Sequence, residues 1–180
     1  MFEQYDDWQR DRLGKITASE CSKLMSKGRA KDKYFSEQGE SYIMQKAAEI
    51  LTCEPNNGGR ANTDSMEWGN SHEQEAFEAW QKASGKTATY YGGGNPKFFS
   101  HSDFFGGSPD AIGSDFILEI KCPFNSAIHC EHLMLDSGEA LKAEKPNYYW
   151  QIVANCYIHN LPRGVFVSYD PRFEIGRAHV

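Results

Sequence analysis

Apolar residues recur at helical spacing through residues 5–25, 37–51 and 66–83, after which the period changes to two. The first segment reads as two helical pieces. The second piece opens on Thr17-Ala18-Ser19-Glu20, the form of a capping box in which the threonine caps and the glutamate reaches back, and Cys21, Leu24 and Met25 then supply an apolar stripe. Strands are expected at 87–92, within 96–105 and at 116–122, a helix at 131–135, a longer helix at 147–159 and a last strand at 164–169. Helices, a small set of strands, a helix and a strand make an α/β domain with a mixed sheet. A single domain over residues 1–172 accounts for all of these elements. Residues 173–180 match none and are left as an unassigned tail, either foreign to the natural chain or the start of a truncated continuation.

Several places break the hydrophobic pattern. In Phe116-Ile117-Leu118-Glu119-Ile120-Lys121-Cys122 side chains alternate, so Ile117, Glu119 and Lys121 share one strand face while Phe116, Leu118 and Ile120 share the other. The second face is core. The first sets a carboxylate beside an ammonium, with Asp110 just upstream across the turn-like Gly113-Ser114-Asp115. A hard divalent cation such as magnesium takes oxygen ligands, commonly one or two carboxylates plus waters, which makes Asp110 and Glu119 candidate ligands. Lys121 is then placed to orient or help deprotonate a water, or to neutralise charge developing on a phosphate. The alternative is a strand face with Glu and Lys in water.

On the helix at 66–83, Glu73 falls on the stripe made by Gly69, Ala76, Phe77 and Trp80. An unpartnered carboxylate there is costly, so it either serves a site or is hydrogen-bonded within the core. On the helix at 147–159, Tyr148, Gln151, Ile152, Asn155 and His159 share a face, where Gln151 could hold a water or a phosphate or join a buried amide network. Near the start, Arg12 precedes a helix whose first turn carries Ser19. An arginine, a hydroxyl and free N–H groups at a helix start suit a terminal phosphate, and equally suit a capped helix with a surface Arg.

Composition narrows the class. With 180 residues, 39% hydrophobic and 13% aromatic, the chain can bury one sizeable core. The net charge of −6 is uneven: residues 9–33 hold eight Lys or Arg against three acids, and residues 61–120 hold nine acids against three Lys. A basic start and an acidic middle suit a surface that attracts an anion and a centre that holds a cation. Five cysteines without a CxxC pair read as reduced thiols of a cytoplasmic protein, too scattered for an iron–sulfur cluster, and the six histidines show no zinc spacing with them. No apolar run approaches the roughly 18 residues a membrane span needs, so no membrane partner is expected.

The pieces occur in a recognisable order: Arg12 with Ile16-Thr17-Ala18-Ser19, Gly69-x-x-x-Glu73-x-x-Ala76, Ser108-Pro109-Asp110, Leu118-Glu119-Ile120-Lys121-Cys122-Pro123 and Tyr148-Tyr149-Trp150-Gln151. Over residues 7–171 this resembles the YqaJ-like viral recombinases, relatives of phage lambda exonuclease within the PD-(D/E)XK nucleases. The resemblance implies a restriction-endonuclease-like core, a central mixed β-sheet flanked by helices. It implies that Asp110, Glu119 and the main-chain carbonyl of Ile120 bind catalytic Mg2+ or Mn2+, that Lys121 assists the attacking water, and that Glu73 and Gln151 support the site. It also implies that Arg12 and Ser19 contact a DNA 5′-phosphate. The activity implied is a 5′→3′ exonuclease on double-stranded DNA ends that leaves 3′ single-stranded tails, commonly a ring-shaped homotrimer that hands its product to a single-strand annealing protein. Two rivals stand beside it: an endonuclease or DNA-repair nuclease of the same superfamily, and a catalytically silent DNA-binding subunit.

Overall fold

The computed structural model describes residues 7–28, 33–56, 63–93, 96–173 and 176–179. Arg29 and Lys31 of the basic segment, residues 57–62 and residues 174, 175 and 180 of the tail lie outside them.

The chain opens with helix α1 (Asp7–Arg12) and a two-residue strand β1 (Ile16–Thr17), followed by a 3-10 helix over Ala18–Leu24. The expected capping box is absent. The Thr17 N–H is taken by the Tyr42 hydroxyl at 3.1 Å and its own hydroxyl lies 3.2 Å from that of Ser19, so the side chain cannot turn in to cap. Glu20 pairs with Lys23 instead of reaching back. Helices α2 (Glu37–Thr52) and α3 (Asp64–Ser84) follow. Ser36 and Thr63 cap them by accepting the Gly39 and Met66 N–H groups, and Gly85 ends α3 at φ +66°, a left-handed turn that glycine adopts without strain.

The strands form two sheets. In the smaller, β1 runs parallel to β4 (Phe105–Gly107), which is antiparallel to β3 (Phe99–Ser102). In the larger, the spatial order is β2 (Ala88–Tyr90), β5 (Ala111–Gly113), β6 (Phe116–Lys121), β7 (Arg163–Ser168) and β8 (Gly176–His179). The β6–β7 pair is parallel and the others antiparallel, a mixed sheet. Strand β8 gives the expected tail a place: Gly176–His179 pairs with β7, from Ser168↔Gly176 to Val165↔His179. Between β6 and β7 the chain forms α4 (Ser126–Leu133), α5 (Gly138–Glu144) and α6 (Pro146–His159). The one short helix expected at 131–135 is therefore two helices, parted at Ser137, which caps α5 through the Ala140 N–H.

Helices cover both faces of the central strand. Phe116, Leu118 and Ile120 pack with Ala76, Phe77 and Trp80 of α3 and with Val165, Val167 and Tyr169. Phe166, on the opposite face of β7, packs with Ile152, Leu135 and Leu141 from the α4–α6 side. A third cluster joins Ala18 and Cys21 of the 3-10 helix to Ala154 of α6, with Phe105 and Trp150 against it. Helix α6 thus braces the N-terminal segment and the large sheet at once. The architecture is mixed α/β, a central mixed sheet flanked by helices, as expected.

Candidate active site

Strand β6 is buried from Phe116 to Ile120, because α3 covers one face and α6 packs on the other. Glu119 therefore does not sit on a solvated face: it is 0% exposed. Its Oε1 accepts from Lys121 Nζ at 2.6 Å, and its Oε2 is buried with no hydrogen-bond partner among the described residues. The Ala111↔Leu118 register carries Asp110 alongside Glu119 across the β5–β6 pair. Asp110 Oδ2 accepts the Ile120 N–H at 2.6 Å.

The carbonyl of Ile120 follows from strand geometry. Successive residues of a strand direct their N–H and C=O groups to opposite neighbours. The Lys121 carbonyl is taken by Tyr169 N at 2.9 Å on the β7 side, and the Ile120 N–H faces Asp110, so the Ile120 carbonyl faces the Asp110 side too. The paired part of β5 begins only at Ala111, so the backbone at Ile120 lies against Asp110 itself.

Electrostatics concentrate here. Burial raises the Asp110 carboxyl well above the usual carboxylate range, and the Glu119 charge adds to it. Burial likewise raises Glu119, with Lys121 pulling the other way and Glu73 adding to the rise. Burial alone would lower Lys121, but the charges of Glu119 and Asp110 outweigh it and hold the ammonium above its ordinary value. The Lys121 ammonium lies 5.4 Å from the centre of the Tyr148 ring. Cys122, next along, is pushed up to about 12, chiefly by burial, and stays a thiol.

Glu73 reaches the same place from α3, where Ala76, Phe77 and Trp80 of its stripe are buried. Its Oε1 accepts from the Tyr90 hydroxyl at 3.0 Å and from Gly93 N at 3.2 Å, and its charge acts on both Asp110 and Glu119. A Cβ on Gly92 would collide with this carboxylate, so glycine there permits the close approach.

The set suits a hard divalent cation. No group of three or more His, Cys, Asp or Glu forms a ready-made cage among the described residues. What converges is two carboxylates and a backbone carbonyl, the sparse oxygen set that magnesium completes with water. An unpaired buried oxygen on Glu119 beside a second carboxylate is costly without a cation and well used with one.

The structure thus brings Glu73, Asp110, Glu119, Ile120 and Lys121 together. Gln151 is half-buried one turn past Tyr148, and its side chain makes no hydrogen bond among the described residues. Arg12 and Ser19 sit at the N-terminal segment. The Arg12 guanidinium stacks 4.1 Å above Trp8, and the Trp8 indole donates to Ser108 Oγ at 3.0 Å, two residues before Asp110. Burial lowers the Arg12 pKa, against the charges of Tyr42, Glu20 and Glu49. Trp8 and Tyr90 were not singled out for the site from the sequence. Trp8 had a signal, its i,i+4 spacing from Arg12 on α1, whereas Tyr90 reaches Glu73 only through the fold.

Comparison with known proteins bears on the family and on the restriction-endonuclease-like fold, both as the resemblance implies. No match is found among curated proteins. Among solved structures, the alkaline exonuclease LHK-Exo of Laribacter hongkongensis superposes with a TM-score of 0.72 at 25% identity, covering 98% of this chain and 81% of its own. The same enzyme in complex with dAMP gives 0.73 at 25% identity, covering 98% and 82%. A phage-related exonuclease of Haemophilus somnus 129PT gives 0.67 at 18% identity, covering 87% and 68%, a likeness of fold. Residues 7–161 match the YqaJ-like viral recombinase domain, which spans the strand carrying Glu119 and Lys121, the helix carrying Glu73 and the N-terminal segment carrying Arg12, and the chain belongs to that family.

Proposed function

We propose that the protein is a metal-dependent DNA exonuclease of the phage recombinase type. The observation that carries the reading is the pairing of Asp110 with Glu119, whose second oxygen is buried and unpartnered, directly beside the Lys121 ammonium. The similarity at 25% identity to the alkaline exonuclease LHK-Exo, which is also solved in complex with dAMP, supports a nucleotide product.

A divalent cation, Mg2+ or Mn2+, held by Asp110, Glu119 and the Ile120 carbonyl would supply the Lewis acidity that phosphodiester hydrolysis requires. The chain's own residues do the rest. Lys121, kept charged by Glu119 and Asp110, orients the attacking water and neutralises negative charge gathering on the phosphate. Glu73, fixed by Tyr90 and Gly93, holds its charge against the pair and keeps the site selective for a cation. Gln151 steadies a water or phosphate oxygen from α6. Arg12, steadied on Trp8, and Ser19 receive the terminal 5′-phosphate, which sets digestion from the 5′ end and leaves a 3′ single-stranded tail. The family resemblance supports a homotrimer acting on duplex ends and passing its tail to a single-strand annealing protein.

The test is digestion of linear duplex DNA bearing a 5′-phosphate or a 5′-hydroxyl, with and without magnesium, beside a closed circular duplex. Magnesium-dependent loss of the linear DNA alone, faster with the phosphate, is expected. Cleavage of the circle would instead make the protein an endonuclease, and DNA binding without digestion would make it a silent subunit.

A further inference from the structure

Beside the catalytic strand lies an aromatic and guanidinium cluster that the hydrolysis does not use. Phe124 follows Lys121 by three residues, on the loop leading into α4, and half of its surface is exposed at 50%. Its ring meets Trp68 of α3 edge-on at 5.7 Å, and Trp68 stacks on His72 at 4.0 Å, the residue immediately before Glu73. Arg172 closes the cluster, its guanidinium 4.9 Å from the centre of the Trp68 ring. This guanidinium is fixed. It donates to both oxygens of buried Asp170, at 2.7 and 2.8 Å, and to the Phe124 carbonyl at 3.1 Å.

Two features point to an occupant. The cluster lies on the loop that directly follows the strand ending at Lys121 and on the helix that carries Glu73, so it borders the catalytic carboxylates. Because Asp170 takes up much of the Arg172 charge, the surface offers flat π and guanidinium faces more than net positive charge. That chemistry suits an unstacked base and suits a duplex backbone poorly, since a backbone is held mainly by uncompensated cations. Ordered aromatic rings also lose little freedom when a base lands on them.

We propose that the Phe124 ring, backed by Trp68 and Arg172, is a stacking platform for an unpaired base of the DNA strand as it passes the catalytic carboxylates. This deepens the nuclease reading and rests on it for the identity of the ligand. The platform engages single-stranded segments and is indifferent to fully paired DNA.

The experiment measures fluorescence anisotropy of a labelled oligothymidylate in metal-free buffer, where digestion cannot intervene. Phe124→Ala should weaken binding by about tenfold, the loss of one base–aromatic stack, and Phe124→Tyr should restore it. The slope of log affinity against log salt should stay unchanged, because no phosphate contact is lost. A dumbbell duplex closed at both ends should bind the variant and the parent equally. Equal affinity of variant and parent for the oligothymidylate overturns the proposal and leaves the patch to a protein partner; an equal loss on the dumbbell overturns it as well. Digestion is scored separately on the parent chain. A parent that digests nothing while Phe124→Ala still loses oligothymidylate binding sinks the nuclease reading and upholds the platform.

Discussion

Glu119 keeps one oxygen paired and one stranded in a place water does not reach, and Asp110 beside it is raised by the same burial and by the Glu119 charge. Left empty, such a pair opposes folding. Asp110→Asn should separate the two effects. The amide oxygen can still accept the Ile120 N–H, so the strand geometry survives while the repulsion disappears. We expect digestion to fall by at least ~100-fold and metal-free thermal stability to rise by about 2–4 °C, the shift that about 1 kcal/mol produces in a domain of this size. Calorimetry beside the digestion assay checks it; unchanged digestion would remove Asp110 from the site. The Asp110, Glu119 and Lys121 constellation was legible in the sequence because strand alternation fixes which side chains share a face. What could not be read was their burial, since that depends on α3 and α6 closing over both faces of β6. A Glu-x-Lys pair reads the same in water as in a core.

Elements with a long periodic stretch were read nearly to their ends. The expected 37–51, 66–83 and 147–159 became α2, α3 and α6, each one to three residues longer where a cap or an N-terminal proline extends it. The failures were short elements whose conformation is set by partners distant in sequence. β1 exists because Ile16 and Thr17 pair with Phe105 and Gly106, and β5 because three residues lie between β2 and β6. Helix α4 was missed in part for a similar reason. It is anchored from across the fold by Ser168 of β7, whose hydroxyl lies 2.8 Å from His129 Nδ1 and 2.9 Å from His132 Nδ1. Burial lowers the His132 pKa to about 4. A depressed histidine stays neutral in the fold, while the unfolded chain takes up a proton below about 6.5. Its contribution is therefore whole above that pH and is lost as pH falls from about 6.5 towards 4, on the order of 3 kcal/mol in total. His132→Leu should flatten the dependence of melting temperature on pH in that window relative to the parent. Parallel curves would show that His132 does not carry it.

At the scale of the molecule, α6 ties the N-terminal segment to the large sheet, packing against the 3-10 helix on one side and against Phe166 of β7 through Ile152 on the other. The proposed phosphate end and the proposed hydrolytic centre are thereby held in one rigid frame, and the Trp8 to Ser108 bond links them a second time. Neither link could be seen along the chain, because each joins residues a hundred or more positions apart. The Asp110 to Ile120 bond has a further consequence. A side chain there does what a neighbouring strand would otherwise do, so the carboxylate proposed to take the cation is also the acceptor for an amide at the centre of the sheet. The backbone is wired to the site and can announce its occupancy with no nucleic acid present. In a nitrogen-15 spectrum of the metal-free protein titrated with magnesium, the Ile120 amide should be among the resonances that move furthest; a stationary Ile120 signal in a protein whose digestion needs magnesium would put the ion somewhere else.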